Sequence, residues 1–472
     1  MRERVDALLA ERWQVAGVKP AELSADAEFL RRVHLDLVGS IPKVAEVREF
    51  VADTRPEKRL RLIDRLLDNP AHVSHSAATW RRILLANSNA QQLEYIPSLE
   101  NWLHDKLTAN APYDEIVREL ILAEGNIQQN GPALFYAAVG NRPDEMAATT
   151  ARVFLGVRLE CAQCHDHPFD DWRQKDFWGY AAFFARVGPQ QPQLVGNVTS
   201  TPAGEVMVPG STDPVRPTYL RGDWADPTQD ANRRQMLARW MTAPGNPYFA
   251  KATVNRVWAN LFGRGLIDPV DDLKTLNQPS HPQLLQELAD FFVASKYDLW
   301  QLHRVLAGTR AYQLSSVPAG SQSPPELFAA MAMKTLTPEQ LYDSLATTGL
   351  YGTSQNDGWR RMFLSSFRGP PGSASDYTAG IPQALTLMNG GTTSGIADRS
   401  SPLLDAVNVP FLSDEERLDT LFLATVSRPP SDEERTQCMA VLTAAAAGEA
   451  RQQALANILW ALLNSAEFTF NH

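Results

Sequence analysis

Apolar side chains recur every three or four residues through most of the 472-residue chain, a spacing that restricts it to a stack of short helices. Val5, Leu8, Leu9 and Trp13 mark one stripe, and Phe29, Leu30, Val33, Leu35 and Leu37 mark another. Pro42 and Pro56 stand where helices can begin, because a first-turn proline forfeits no internal hydrogen bond. The spacing predicts helices over 57–68, 72–87, 97–109, 114–124, 142–157 and 173–186. It resumes over 231–243, 247–262, 281–296, 299–311, 324–334 and 337–349, with an irregular stretch at 351–380 and helices to the end. Ser280-His281-Pro282-Gln283 reads as a capping box, with Ser280 as cap and Gln283 returning the bond.

Between 187 and 230 the composition turns to Gly, Pro, Thr and Val. Alternation appears at Glu205-Val206-Met207-Val208 and Val215-Arg216-Pro217-Thr218-Tyr219-Leu220, which predicts a small β-hairpin or extended loop. The expected architecture is mainly α, with helical domains over 1–186 and 231–472 joined by this β or irregular segment. One echo runs across it. Leu35-Asp36-Leu37-Val38-Gly39-Ser40-Ile41-Pro42 is similar to Leu423-Ala424-Thr425-Val426-Ser427-Arg428-Pro429-Pro430, and two similar helix–turn–helix corners account for it.

A net charge of −10 argues against a nucleic-acid partner, and the basic string Lys58-Arg59-Leu60-Arg61-Leu62 reads as a solvated helix face. No apolar run reaches the roughly 18 residues that cross a bilayer. Met1-Arg2-Glu3-Arg4-Val5-Asp6 reads as a charged amphipathic helix and not a signal peptide.

Three cysteines are too few for a disulfide scaffold. Two of them form Cys161-Ala162-Gln163-Cys164-His165, the attachment signature of c-type haem. Two thiols one turn apart can each form a thioether to a porphyrin vinyl, and His165 then offers an imidazole nitrogen to the iron. The expected cofactor is haem c, with Cys161 and Cys164 as anchors and His165 as axial ligand. Met207 and His281 are candidates for the opposite axial position, His281 otherwise reading as a solvent-exposed residue near a helix start. A second reading takes Cys161, Cys164 and His167 as ligands to zinc or iron in a hydrolase-like catalytic protein. A third leaves the cysteines as a redox or structural pair on a helical scaffold. Cys438 reads as a small buried residue.

Other groups carry weaker signals. Phe177, Trp178, Tyr180, Phe183 and Phe184 can wall a porphyrin or simply fill a core. Asp170-Asp171 and Asp271-Asp272 are paired carboxylates whose expected roles are turns and helix starts. Arg256, beside Asn255, is placed for an interdomain salt bridge or for a propionate. Neither a phosphate loop nor a Gly-x-Ser-x-Gly nucleophile motif occurs.

Residues 5 to 186 resemble the planctomycete cytochrome-like domain family, on the strings 35–42 and Cys161-Ala162-Gln163-Cys164-His165-Asp166-His167-Pro168-Phe169-Asp170. Residues 230 to 470 resemble its usual C-terminal companion, on Asn255-Arg256-Val257-Trp258-Ala259-Asn260-Leu261-Phe262-Gly263-Arg264-Gly265-Leu266, Ser280-His281-Pro282-Gln283-Leu284-Leu285 and Ser427-Arg428-Pro429-Pro430. The resemblance implies company with cytochrome c modules and an exported chain, and it implies no defined activity. The expected function is electron transfer with a redox partner protein in an extracytoplasmic system. A cytoplasmic location stays open because no export signal precedes the first helix.

Overall fold

The computed structural model describes residues 1–86, 95–168, 170–188, 196–222, 224–225, 232–274, 276–320, 323–351, 358–367, 387–388 and 390–472. They form a mainly α protein. Two compact units are present, and neither is one contiguous stretch of chain. One comprises Met1–Ala16, Ser76–Thr309 and Pro324–Leu327; the other comprises Gly17–His75, Arg310–Ser323 and Phe328–His472.

The first unit is built on aromatic packing. Tyr113, at the start of the helix Tyr113–Leu122, stacks on Phe249 at 5.6 Å and meets Trp80 at 4.7 Å. Phe292 and Tyr297 close the same cluster. The helix Arg2–Ala16 buries Val5, Leu8, Leu9 and Trp13 as its spacing requires, and the Trp13 indole donates to the Leu327 carbonyl at 2.7 Å. An antiparallel sheet centres on Asn197–Ser200, flanked by Gly125–Asn126 and Val187–Gly188. Strand pairing therefore falls earlier in the 187–230 segment than the expected hairpin, at 187–188 with 199–200, and its third strand comes from far upstream. The alternating strings at 205–208 and 215–220 make only isolated bridges, Met207 to Pro214 and Thr218 to Trp224.

In the second unit the helix Asp26–Val38 is enclosed on every side: Phe29 through Val38 are all buried. Around it and the corner that follows lie Leu345, Leu421, Leu459 and Leu463 in one apolar cluster. Thr337, Ser413 and Ser431 start three of its helices with complete capping boxes. Cys438 lies on the helix Asp432–Ala444, half-buried against the same cluster, and burial pushes its thiol up.

The two echoing strings do form matching corners. Gly39 N–H bonds the His34 carbonyl and Ser427 N–H bonds the Phe422 carbonyl, both at 3.1 Å and both spanning five residues. Each sits in the left-handed region, at φ 77° and 64°. Space as well as conformation demands glycine in the first, where a Cβ would lie 2.4 Å from His75 Nδ1.

Several expectations fail for identifiable reasons. Residues 324–334 are not a helix; Pro325–Leu327 is one 3-10 turn and Lys334–Thr335 pairs with Phe470–Asn471 as a strand. The box at Ser280 does not form, because Ser280 Oγ donates to the Leu266 carbonyl and Gln283 donates to Glu287. Lys58 and Arg59 are not a solvated face. Both pair with Asp26 (2.5 and 2.9 Å), and Lys58 also donates to the Phe50 and Asp53 carbonyls. The stretch 351–380 falls largely outside the described residues, although a helix, Gly358–Ser366, lies within it. Among the described residues no helix is long and apolar enough to cross a membrane.

Candidate functional site

The haem-type motif occupies a short 3-10 turn, Glu160–Gln163, entered from the helix Pro143–Thr150 through a π-helical turn, Ala151–Leu155. Ala162 points into the core while Cys161 and Cys164 are exposed, and neither thiol is in a disulfide. His165 is exposed as well. Its Nδ1 lies 2.7 Å from the Asp166 carbonyl, which can only accept, so Nδ1 carries the proton and Nε2 keeps its lone pair.

The turn is held by its neighbours. Gln174, on the helix Gln174–Ala181, donates to the Gln163 and Cys164 carbonyls at 3.2 and 2.9 Å. The Trp178 indole donates to the Gln163 carbonyl at 3.0 Å. Gln163 in turn donates to Asp144 at 2.9 Å, and Gln174 N–H bonds Asp166. Beyond the motif, His167 N–H bonds the Trp172 carbonyl, and the Arg221 guanidinium lies 4.7 Å from the Trp172 ring centre and 3.6 Å from Asp170. Asp170 therefore braces the loop and is no free carboxylate. Asp171 is exposed.

The aromatic stripe is core. Phe177, Tyr180, Phe183 and Phe184 are buried, with only Trp178 part-exposed beside the motif. Met207 is 48% exposed. His281, expected in solvent, is 6% exposed; burial and the nearby Arg12 charge push its imidazole down to about 4. Nothing in the sequence string around it signals burial. His167 is not gathered with Cys161 and Cys164: among the described residues no three His, Cys, Asp or Glu side chains converge as metal ligands would.

Asp271, expected in a turn or helix start, instead gathers two arginines of the segment that leads to the motif. Asp271, buried, accepts from Arg158 Nε at 2.8 Å and Arg158 Nη2 at 2.5 Å, with Arg152 at 3.7 Å from its other oxygen. Partial burial opposes it, yet the Asp271 carboxylate holds the Arg158 pKa above its ordinary value. Arg152 also reaches Glu160 at 3.7 Å. Arg256 makes no salt bridge among the described residues. It donates to the Arg152 and Val153 carbonyls at 3.3 and 3.4 Å, where the π-helical turn leaves them open. Burial lowers its pKa. Asp272 pairs with Lys274 at 2.7 Å in the adjoining turn.

Comparison with curated proteins and with solved structures gives no match. Comparison with protein families gives two. Residues 4–188 match PSCyt2, a protein of unknown function (DUF1549), and residues 233–363 match PSD1, also a protein of unknown function (DUF1553). Cys161 to His165 fall within the first match, and Asp271 falls within the second. Residues 4–188 thus carry a PSCyt2 domain, and a PSD1 domain follows it in the same polypeptide.

Proposed function

We propose that this chain is a c-type haem protein that passes electrons to or from a partner protein outside the cytoplasm. Cys161 and Cys164 hold the porphyrin edge and His165 binds the iron from the proximal side. The observation that carries the reading is His165: its Nδ1 proton is committed to a backbone carbonyl, which leaves Nε2 of an exposed imidazole available in a motif whose two thiols are accessible. Haem bound there supplies a one-electron couple. The residues around it supply position, with Gln174 and Trp178 fixing the carbonyls of the turn so that thiols and imidazole project from a braced backbone.

Expression with an export signal in a host that ligates haem, followed by a pyridine haemochrome assay and intact mass, tests the proposal. Covalent pigment at one per chain is expected, lost in the Cys161→Ser/Cys164→Ser double variant. Colourless material would overturn it, as would zinc at full occupancy without a thioether-linked pigment.

A further inference from the structure

The approach to the motif is controlled by the PSD1-matched part of the chain. Asn255, fully buried on the helix Phe249–Phe262, donates to the Ile267 and Val270 carbonyls (2.9 and 3.0 Å) and accepts from Ile267 N–H at 2.9 Å. One amide thus fixes the loop that carries Asp271. Leu273 N–H then bonds the Gly156 carbonyl at 2.7 Å. Gly156 has φ 66°, and a Cβ there would stand 2.6 Å from Leu273 Cδ1, so the Leu273 side chain packs directly over the glycine. This contact lays residues 156–160 along the loop and brings Arg158 onto Asp271. Arg152, reaching back from the π-helical turn, links Asp271 to Glu160, whose neighbour is Cys161.

We infer that Asp271 is a positioning residue for the Cys161–His165 turn, acting through Arg158 and Arg152 on the segment that enters it. The inference rests on the haem reading for its consequence, but the positioning itself does not. A buried carboxylate shared by two guanidinium groups holds both in place; without it Arg158 loses its carboxylate partner and Arg152 keeps only Glu160, at 3.7 Å. The segment 156–160 then keeps its backbone bond to Leu273 and loses its side-chain tether. The field at the motif also becomes more positive, which favours the reduced state of an attached iron.

Two readouts test this on the full chain, using Asp271→Asn, Asp271→Glu and, from the half-exposed side of the pair, Arg158→Gln. In haem-loaded protein, Asp271→Asn and Arg158→Gln are expected to move the reduction potential in opposite directions, Asp271→Asn upward. Asp271→Glu, which restores the charge, should return most of the shift. In haem-free protein, hydrogen exchange of the backbone amides of residues 156–164, read by mass spectrometry, should run about threefold or more faster in both charge-removing variants, from local opening of the turn. Amides of the helix Tyr113–Leu122 should keep their parental rates. An unmoved potential with unmoved exchange over 156–164 overturns the inference. So does a rise shared by the helix Tyr113–Leu122, which marks general loosening. If exported parent protein holds no haem, the proposed function fails, and the exchange comparison still decides the role of Asp271.

Discussion

Asp36 and His165 lie in two strings within the PSCyt2-matched residues, and their surroundings are opposite. Asp36 is 5% exposed and takes three donors: the Tyr312 hydroxyl at 2.7 Å, Lys334 Nζ at 2.6 Å and Asn471 Nδ2 at 2.7 Å. Beside it Arg31 and Arg32 are buried too, bonded to the carbonyls of Thr425, Glu467, Phe468, Tyr312, Leu314 and His472. Each charged group there is hydrogen-bonded, which is the condition for burying it, and only Arg31 Nε and Asn471 Oδ1 lack a partner among the described residues. His165 is exposed and has one bond, to the carbonyl beside it, with two open thiols for company. The first cluster is buried and spends its bonds within the fold. The second is accessible and keeps bonding capacity to spare.

The sharpest way to break this contrast is Asp36→Ala. It leaves Lys334, Tyr312 and Asn471 buried without their acceptor and should cost about 3–5 kcal/mol in urea unfolding. A loss below about 1 kcal/mol would mean the network is incidental. Gly39→Ala comes next. Steric overlap with His75 and the left-handed φ should together cost about 1–3 kcal/mol, read as a lower thermal midpoint.

Acid titration compares the two units directly. Burial pushes His34, in the second unit, down to about 4, as it does His281 in the first. Below the ordinary value near 6.5 the unfolded chain takes up protons that the folded chain refuses. Stability is therefore complete at neutral pH and falls between about 6.5 and 4, at no more than about 1.4 kcal/mol per pH unit for each imidazole. His34→Gln should flatten the slope of urea midpoint against pH between 7 and 5. An unchanged slope would assign the acid sensitivity elsewhere. The smallest effect belongs to the motif: Cys161→Ser and Cys164→Ser in haem-free protein should stay within about 0.5 kcal/mol of the parent. A larger loss would make the cysteine pair structural.

Much of the architecture was legible in the sequence, for a local reason. Where a helix buries one face, the stripe is written in its own residues, as in Val5, Leu8, Leu9 and Trp13. The reading failed where the partner lies far along the chain. Lys334–Thr335 is a strand because Phe470–Asn471 pairs with it, and no window around 334 contains that fact. Arg31 and Arg32 look like surface residues until carbonyls from four distant segments are seen to surround them. The same applies at the candidate site. Cys161, Cys164 and His165 are adjacent and so were visible as a set. Asp271 and Arg158 meet only after folding, and Arg256 found carbonyls where an ion pair was expected.

The bonds of Asp36 also constrain how the protein is made. Asp36 is synthesised 298 residues before Lys334 and 435 before Asn471, so its carboxylate waits for both partners while the chain between them is made. This half of the molecule cannot complete its polar core until the segment that carries Asn471 has left the ribosome.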